Sequence, residues 1–274
     1  MIILKLGGSI LTEKDSLKPK INLDNLNRIA IEIGDFLKDH DLKDEGLIIV
    51  HGAGSFGHPY AKKYRIGEPF PDSEYPKKRI GFSITHNSVN GFSGVISEYF
   101  IENDIPAISI PPSSIIKSSN KRISYFNLDL IKDYVFQGFL PVLYGDVVLD
   151  DTLKMTVISG DQILSYLAKN LIFEKVILAT DVDGVFNKNP KLYDDAKLIK
   201  VLNSLEDLDS FDSTTNVDVT GGMFGKIQEL IELADLGVES MIINAQTPSL
   251  IINALKGIEV KGTLIKSKLE SFSG

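Results

Sequence analysis

The 274-residue chain contains no cysteine. Disulfides and thiolate metal sites are therefore excluded, and nothing points to an oxidising compartment. No apolar run approaches the roughly 20 residues that cross a bilayer. The N-terminus leads directly into a strand-like segment with no basic n-region or cleavage site. A soluble, cytoplasmic protein with no membrane partner is the expectation. Basic residues are in deficit, 29 Lys and Arg against 37 Asp and Glu, for a net charge of −8. Nucleic-acid binding relies on basic patches, so nucleic acid is not an expected partner. A locally positive pocket for a small anion stays open, because the lysines of interest sit at loop edges and not in runs. Internal repeats, low-complexity tracts and interdomain linkers are also missing.

With 43% hydrophobic residues, the chain can bury a substantial core. Short β-rich runs alternate with amphipathic stretches. Apolar runs bounded by turn signals predict strands at 2–6, 46–50, 106–110, 140–144 and 175–179, with further strands at 146–149, 155–158, 240–243 and 262–265. Helices are predicted at 23–39, 84–102, 127–137, 160–171, 204–208, 222–236 and 248–255. Polar loops are expected at 67–79, 187–197 and 209–216. The alternation implies an α/β fold, a doubly wound and mostly parallel sheet that binds ligands at the carboxyl ends of its strands.

Glycine-rich turns follow two of these strands. The first is Lys5-Leu6-Gly7-Gly8-Ser9 and the second His51-Gly52-Ala53-Gly54-Ser55-Phe56-Gly57-His58. Backbone amides in such turns reach an anion without side chains in the way. Two anion-cradling turns suggest two phosphorylated ligands, as a phosphotransferase with a phosphorylated acceptor needs. His58 is a side-chain donor for a phosphate oxygen; the alternative is a turn histidine satisfied by carbonyls, which suits His51 better. No carboxylate or cysteine accompanies the two histidines at metal-ligand spacing. Ser159-Gly160-Asp161-Gln162 reads as a helix start, in which Asp161 either orients lysines or stabilises the first turn. Thr180-Asp181-Val182-Asp183-Gly184 ends another strand and is open to a ribose, a base edge, a metal or a simple Asx turn. Thr220-Gly221-Gly222-Met223-Phe224-Gly225-Lys226 follows the logic of a phosphate loop without matching Walker A, since Ile227 follows the lysine. Lys14 is, by itself, a surface lysine or a site lysine.

Taken in order, these motifs resemble those of the amino acid kinase superfamily over essentially the whole chain, Lys5 to Ile265. Within it, the loop ending in His58 resembles that of the archaeal-type isopentenyl phosphate kinase family. Relatives acting on amino acids or carbamate lack such a histidine, and relatives acting on UMP carry a different acceptor loop. The loop often reads His-Gly-Gly-Gly, and Ala53 here replaces the middle glycine.

The resemblance implies a three-layer αβα sandwich with a mostly parallel open sheet. It implies one amino acid kinase-like domain over 1–274, with an acceptor-binding half at about 1–170 and a nucleotide-binding half at about 171–274. It further implies ATP-dependent phosphorylation of isopentenyl phosphate, with Mg²⁺, by a homodimer. In that scheme Lys5, Gly7, Gly8 and Ser9 meet the donor phosphates. Lys14 stabilises the transferring phosphoryl group. Ala53 and Gly54 place amides between donor and acceptor. His58 and Gly160 hold the acceptor phosphate, Asp161 orients the two lysines, and Asp181, Gly222 and Lys226 hold ATP. Phe82 and Ile84 either line an apolar pocket for the acceptor tail or pack on the sheet. Alternative readings are a kinase of another small phosphate or phosphonate such as fosfomycin, and a nucleotide-binding regulatory module without turnover.

Overall fold

The computed structural model describes residues 1–13, 19–188, 190, 192–209 and 221–267. In chain order the strands are β1 (Ile2–Leu6), β2 (Leu47–His51), β3 (Ala107–Ser109), β4 (Ile116–Ser119), β5 (Arg122–Phe126), β6 (Leu140–Tyr144), β7 (Asp146–Asp150), β8 (Lys154–Ile158), β9 (Lys175–Thr180), β10 (Val201–Leu202), β11 (Glu239–Asn244) and β12 (Gly262–Ile265). Eight of them form one sheet in the order β10-β12-β11-β9-β1-β2-β6-β3, parallel except between β11 and β12.

The central strands are apolar on both faces, as strands covered on both sides must be. Alternate residues feed two cores. Ile3, Ile48, Val50, Val176 and Leu178 face the helices Leu128–Phe136, Gly160–Asn170 and Gly221–Asp235. Leu4, Leu6, Ile49, Ile177 and Ala179 face Leu23–Leu37, Tyr75–Ile101 and Leu250–Leu255. The sandwich thus has three layers, with the sheet in the middle, as expected. Among the described residues, no helix is long and apolar enough to cross a membrane.

Register positions the site. Leu6 pairs with both His51 and Ala179, and His51 pairs with Tyr144. Ala179, Leu6, His51 and Tyr144 of four adjacent parallel strands are therefore level, and the residues after them, Thr180, Gly7, Gly52 and Gly145, form one row along the carboxyl edge. A second sheet, β5-β4-β7-β8, stands beyond that edge. Its β7–β8 hairpin leaves the main body at Gly145 and returns at Ser159, directly before the helix Gly160–Asn170.

Several elements differ from expectation. The stretch Gly54–Lys63 is a helix, not an extended glycine turn. Its glycines and Pro59 oppose helix on propensity alone, but packing overrides them. A Cβ on Gly57 would stand 2.6 Å from the Ala53 Cβ and 3.2 Å from the Val89 Cγ2, so only glycine lets this helix lie so close to Tyr75–Ile101. The latter helix begins at Tyr75, inside the expected 67–79 loop, with Pro76 in its first turn as a start signal. Strands β4, β5 and β10 were not expected; β4 and β5 are short and carry polar residues. The expected 209–216 loop lies almost wholly outside the described residues.

His51 is fully buried, stacked on Tyr144 with ring centroids 5.2 Å apart and edge-on to Phe92 at 5.1 Å. Its Nδ1–H donates to the Gly52 carbonyl at 3.0 Å, while Nε2 is buried without a partner. Burial pulls its pKa down to about 4, against the opposing effect of the Gly52 bond. The unfolded chain takes up this proton near pH 6.5 and the native state only near 4. Stability therefore falls as pH drops through that window, by up to about 3 kcal/mol at its lower end. Denaturation midpoints at pH 7 and pH 4.5 check this. His51→Gln is expected to lose less stability over the same interval.

Candidate active site

The row at the carboxyl edge opens onto a cavity of about 810 Å³. Its floor is made by two interlocked turns. An added Cβ on Gly8 would stand 2.8 Å from both N and Cα of Gly54, and one on Gly52 would stand 2.8 Å from the Gly8 nitrogen. Gly54 itself has φ +51°, and a Cβ there would meet Thr12 Oγ1 at 2.9 Å. The Thr12 hydroxyl in turn donates to Gly8 O at 2.8 Å. Gly8 starts the short helix Gly8–Leu11 and Gly54 starts Gly54–Lys63, and neither helix has a side-chain N-cap. First-turn amides without an intrahelical partner suit an anion.

Lys5 shares a strand face with Ile3, the face covered by the helix Gly160–Asn170. It is 5% exposed. Its Nζ meets Asp161 Oδ1 at 2.5 Å. Asp161 sits in the first turn of that helix, which is fixed by a capping box. Gln162 N donates to Ser159 Oγ at 3.2 Å, and Ser159 N donates to Gln162 Oε1 at 3.1 Å. Burial holds the Lys5 amine below the usual lysine range. Asp161 counteracts this, and the nearby Lys226 adds to the lowering. Glu229, one turn beyond Lys226, is pushed up by burial and by the charge of Asp161. On the other side of β1, Ser9 Oγ donates to Asp181 Oδ1 at 2.8 Å.

The structure brings Lys5, Gly7, Gly8, Ser9, Ala53 neighbours Gly52 and Gly54, Ala53 itself, His58, Gly160, Asp161, Asp181 and Lys226 to this one cavity. Gly222 lies in the first turn of the helix that carries Lys226. Lys14 falls outside the described residues. Phe82 and Ile84 do not line the cavity. Thr85 and Val89 of the same helix do, and Ile84 is 36% exposed. The long helix is phased by its buried stripe Gly81, Thr85, Val89, Phe92, which leaves Ile84 off that face.

Sequence reasoning also missed Thr12, Ser55, Val147 and Val157 as lining residues. Val147 and Val157 pair across the β7–β8 hairpin, and their apolar runs predict the strands but not which side chains reach the cavity.

The sheet order β9-β1-β2-β6 sorts these groups in space. Asp181 follows β9, and Lys226 lies on the helix preceding β11 beside it. Lys5 to Ser9 belong to β1, and Gly52 to His58 follow β2. Beyond β6 come Val147, Val157 and Ile158 of the hairpin, with Val89 and Ile66. The side with Lys5, Asp161, Asp181 and Lys226 is charged; the other side gathers the aliphatic residues Ile66, Val89, Val147, Val157 and Ile158, with Lys62, Arg65, Glu68 and Asp146 also in its lining, and the two glycine turns with His58 lie between. Such a cavity can hold two anions end to end and shelter an apolar group attached to one of them.

Residues 1–244 match the profile of the amino acid kinase family. The chain is 51% identical to the isopentenyl phosphate kinase of Methanothermobacter thermautotrophicus, over 98% of this chain and 100% of that protein. It is 39% identical to the isopentenyl phosphate kinase of Methanocaldococcus jannaschii, over 97% and 98%. A crystal structure of an isopentenyl phosphate kinase, 46% identical, superposes with a TM-score of 0.85 over 97% of this chain and 99% of that one.

Proposed function

The chain belongs to the amino acid kinase family, and from that premise we propose that it transfers the γ-phosphoryl group of ATP to isopentenyl phosphate, giving isopentenyl diphosphate and ADP in isoprenoid biosynthesis. The aliphatic group formed by Ile66, Val89, Val147, Val157 and Ile158, set apart from Lys5, Asp161, Asp181 and Lys226 across the level strands, is the observation that carries this reading. A UMP or amino acid acceptor has polar groups to satisfy. The side beyond β6 instead offers Val89, Val147, Val157 and Ile66, which suit a short branched hydrocarbon. The same feature favours this acceptor over a small phosphonate.

Phosphoryl transfer asks for positioning and charge stabilisation more than covalent chemistry. The acceptor oxygen is already ionised, so no strong base is needed, but repulsion between two anions must be offset. Lys5, fixed by Asp161, would neutralise charge on the transferring group, with Lys14 as its partner. Amides of Gly8, Ala53 and Gly54 would lie between donor and acceptor, and Ser9, Asp181, Gly222 and Lys226 would hold the nucleotide. His58, exposed in the first turns of its helix, would grip the acceptor phosphate with Gly160. The acceptor half then falls within about residues 1–170, which also holds the Lys5–Ser9 turn for the donor phosphates, and the remaining nucleotide contacts fall within about 171–274. ATP fits the cradle of glycine amides and lysines. Mg²⁺, which keeps much of its hydration and takes few carboxylates, would arrive with the phosphates, with Asp181 the carboxylate beside Ser9.

Measuring ADP release from Mg-ATP with and without isopentenyl phosphate tests the assignment; no stimulation by the acceptor would sink it. In the same assay His58→Ala is expected to raise the acceptor KM about 10- to 100-fold, the loss of one charge-assisted hydrogen bond. The KM for ATP should stay within about twofold. Equal losses for both substrates would remove His58 from the acceptor role.

A further inference from the structure

The helix Tyr75–Ile101 carries two neighbouring stripes. Thr85 and Val89 line the aliphatic side of the cavity. His86, Asn90 and Ser93, spaced i, i+4, i+7, form the adjoining stripe, and each makes a side-chain hydrogen bond to the sheet side. His86 Nδ1–H donates to Asp146 Oδ2 at 2.9 Å. Tyr144 Oη donates to Asn90 Oδ1 at 2.8 Å. The Ser93 and Ser109 hydroxyls lie 2.8 Å apart. Tyr144 and Asp146 flank Gly145, where β6 passes into the hairpin bearing Val147. Asp146 is buried, 2% exposed, and also accepts from the Val147 amide at 2.8 Å. The phosphoryl-transfer scheme uses none of these side chains.

We propose that this polar zipper sets the acceptor chain length: it fixes the rotation and depth of the long helix against β3, β6 and β7, and so the distance of Thr85 and Val89 from Val147. The proposal rests on the reading of the cavity as an alkyl phosphate site. Apolar contacts are non-directional and tolerate sliding, whereas hydrogen bonds lose strength steeply off their angle. A helix held only by its apolar stripe can shift by about 1–2 Å, and a packed pocket responds to a single methylene. Three bonds over two turns of helix remove that freedom on one side, while the apolar stripe of Phe92, Ile96 and Phe100 holds the rest. The Asp146 carboxylate also raises the pKa of His86, which favours the charged, stronger form of that bond.

The test compares kcat/KM for isopentenyl phosphate with that for geranyl phosphate, a longer prenyl monophosphate. The double variant Asn90→Leu/Tyr144→Phe removes one link, and Ser109, which also meets the Tyr144 hydroxyl, keeps Ser93 as a partner. It is expected to narrow the preference for the shorter acceptor about tenfold, the discrimination available from a methylene or two, with the KM for ATP within about twofold. His86→Gln, which keeps a donor for Asp146, is expected to retain the wild-type preference, and His86→Leu to narrow it. The His86 pair decides the matter if the double variant does not fold. A general loss of stability would lower both acceptors together and leave the ratio unchanged; an unchanged ratio in folded variants overturns the proposal. If the wild-type protein is stimulated by neither acceptor, the kinase assignment itself fails and this inference falls with it.

Discussion

Lys5→Met is expected to lower kcat about a thousandfold, the scale of removing a preorganised charge from a transferring phosphoryl group, without lowering the melting temperature. The two halves of this expectation have one cause. Lys5 stands on β1 where every neighbour is buried, and its amine is held below the usual range by that burial. Buried charge is costly, and removing one member of an ion pair destabilises chiefly when the other is left buried and uncompensated. Asp161 can stay hydrated after the change, because its side chain is 26% exposed. Lys5 therefore represents stability given up for reactivity, and steady-state kinetics beside thermal melting separates the two.

Asp161→Asn gives the complementary result. The carboxylate is what holds the Lys5 pKa up against burial and Lys226. Without it the pKa falls further, and the amine becomes neutral at a lower pH. The cationic form is the one that offsets phosphoryl charge, so the alkaline limb of the kcat profile is expected to move toward lower pH. A pH–rate profile of the variant that keeps its wild-type alkaline limb would remove Asp161 from this role.

Gly8→Ala is the second change with a large expected effect, at least about a hundredfold in kcat together with about 1–3 kcal/mol of stability. The added methyl would press on the N and Cα of Gly54, and backbone cannot rotate aside as a side chain does. The turns would part just where donor and acceptor are to be held within reach of each other. Gly52→Ala would force the same two turns apart from the opposite side, at the Gly8 nitrogen. The double variant is thus expected to cost much less than the sum of the singles. Activity and denaturation midpoints of the three proteins check this, and additive losses would show that the turns do not act as one unit.

The parts of this design that were legible in the sequence are those with short-range causes. An apolar run ending in glycine announced β1 and β2 and placed both turns at the carboxyl edge. The Ser159 cap and its Gln162 partner marked the helix that carries Asp161. Long-range pairing had no local signal. Lys5 and Asp161 are 156 positions apart, and their partnership came from resemblance, not from spacing. The helix Gly54–Lys63 was hidden by the glycines that let it pack. Hydrophobicity alone points to Phe82 and Ile84, but the phase of a 27-residue helix with a weakly divided surface is set by contacts such as Gly81 with Tyr64, where a Cβ would stand 2.2 Å from the ring. His86, Asn90 and Ser93 did carry a periodic signal, yet a polar stripe ordinarily faces water, and only the fold reveals that this one faces a strand.

The β7–β8 hairpin leaves and rejoins the body through a narrow neck, where a Cβ on Gly145 would stand 3.2 Å from the Gly160 nitrogen. Between those two points the chain contributes Val147, Val157 and Ile158 to the aliphatic wall, and none of the groups assigned to ATP. In the proposed reading, the part of the acceptor wall that this hairpin supplies is separate in sequence from the phosphate-binding turns, although Asp150 ties it to the neighbouring strand through Ser118 and Asp146 ties it to the long helix through His86. A change of acceptor by way of this hairpin can therefore leave the phosphate-binding turns as they are, provided that the bonds of Asp146 and Asp150 to the rest of the fold are kept.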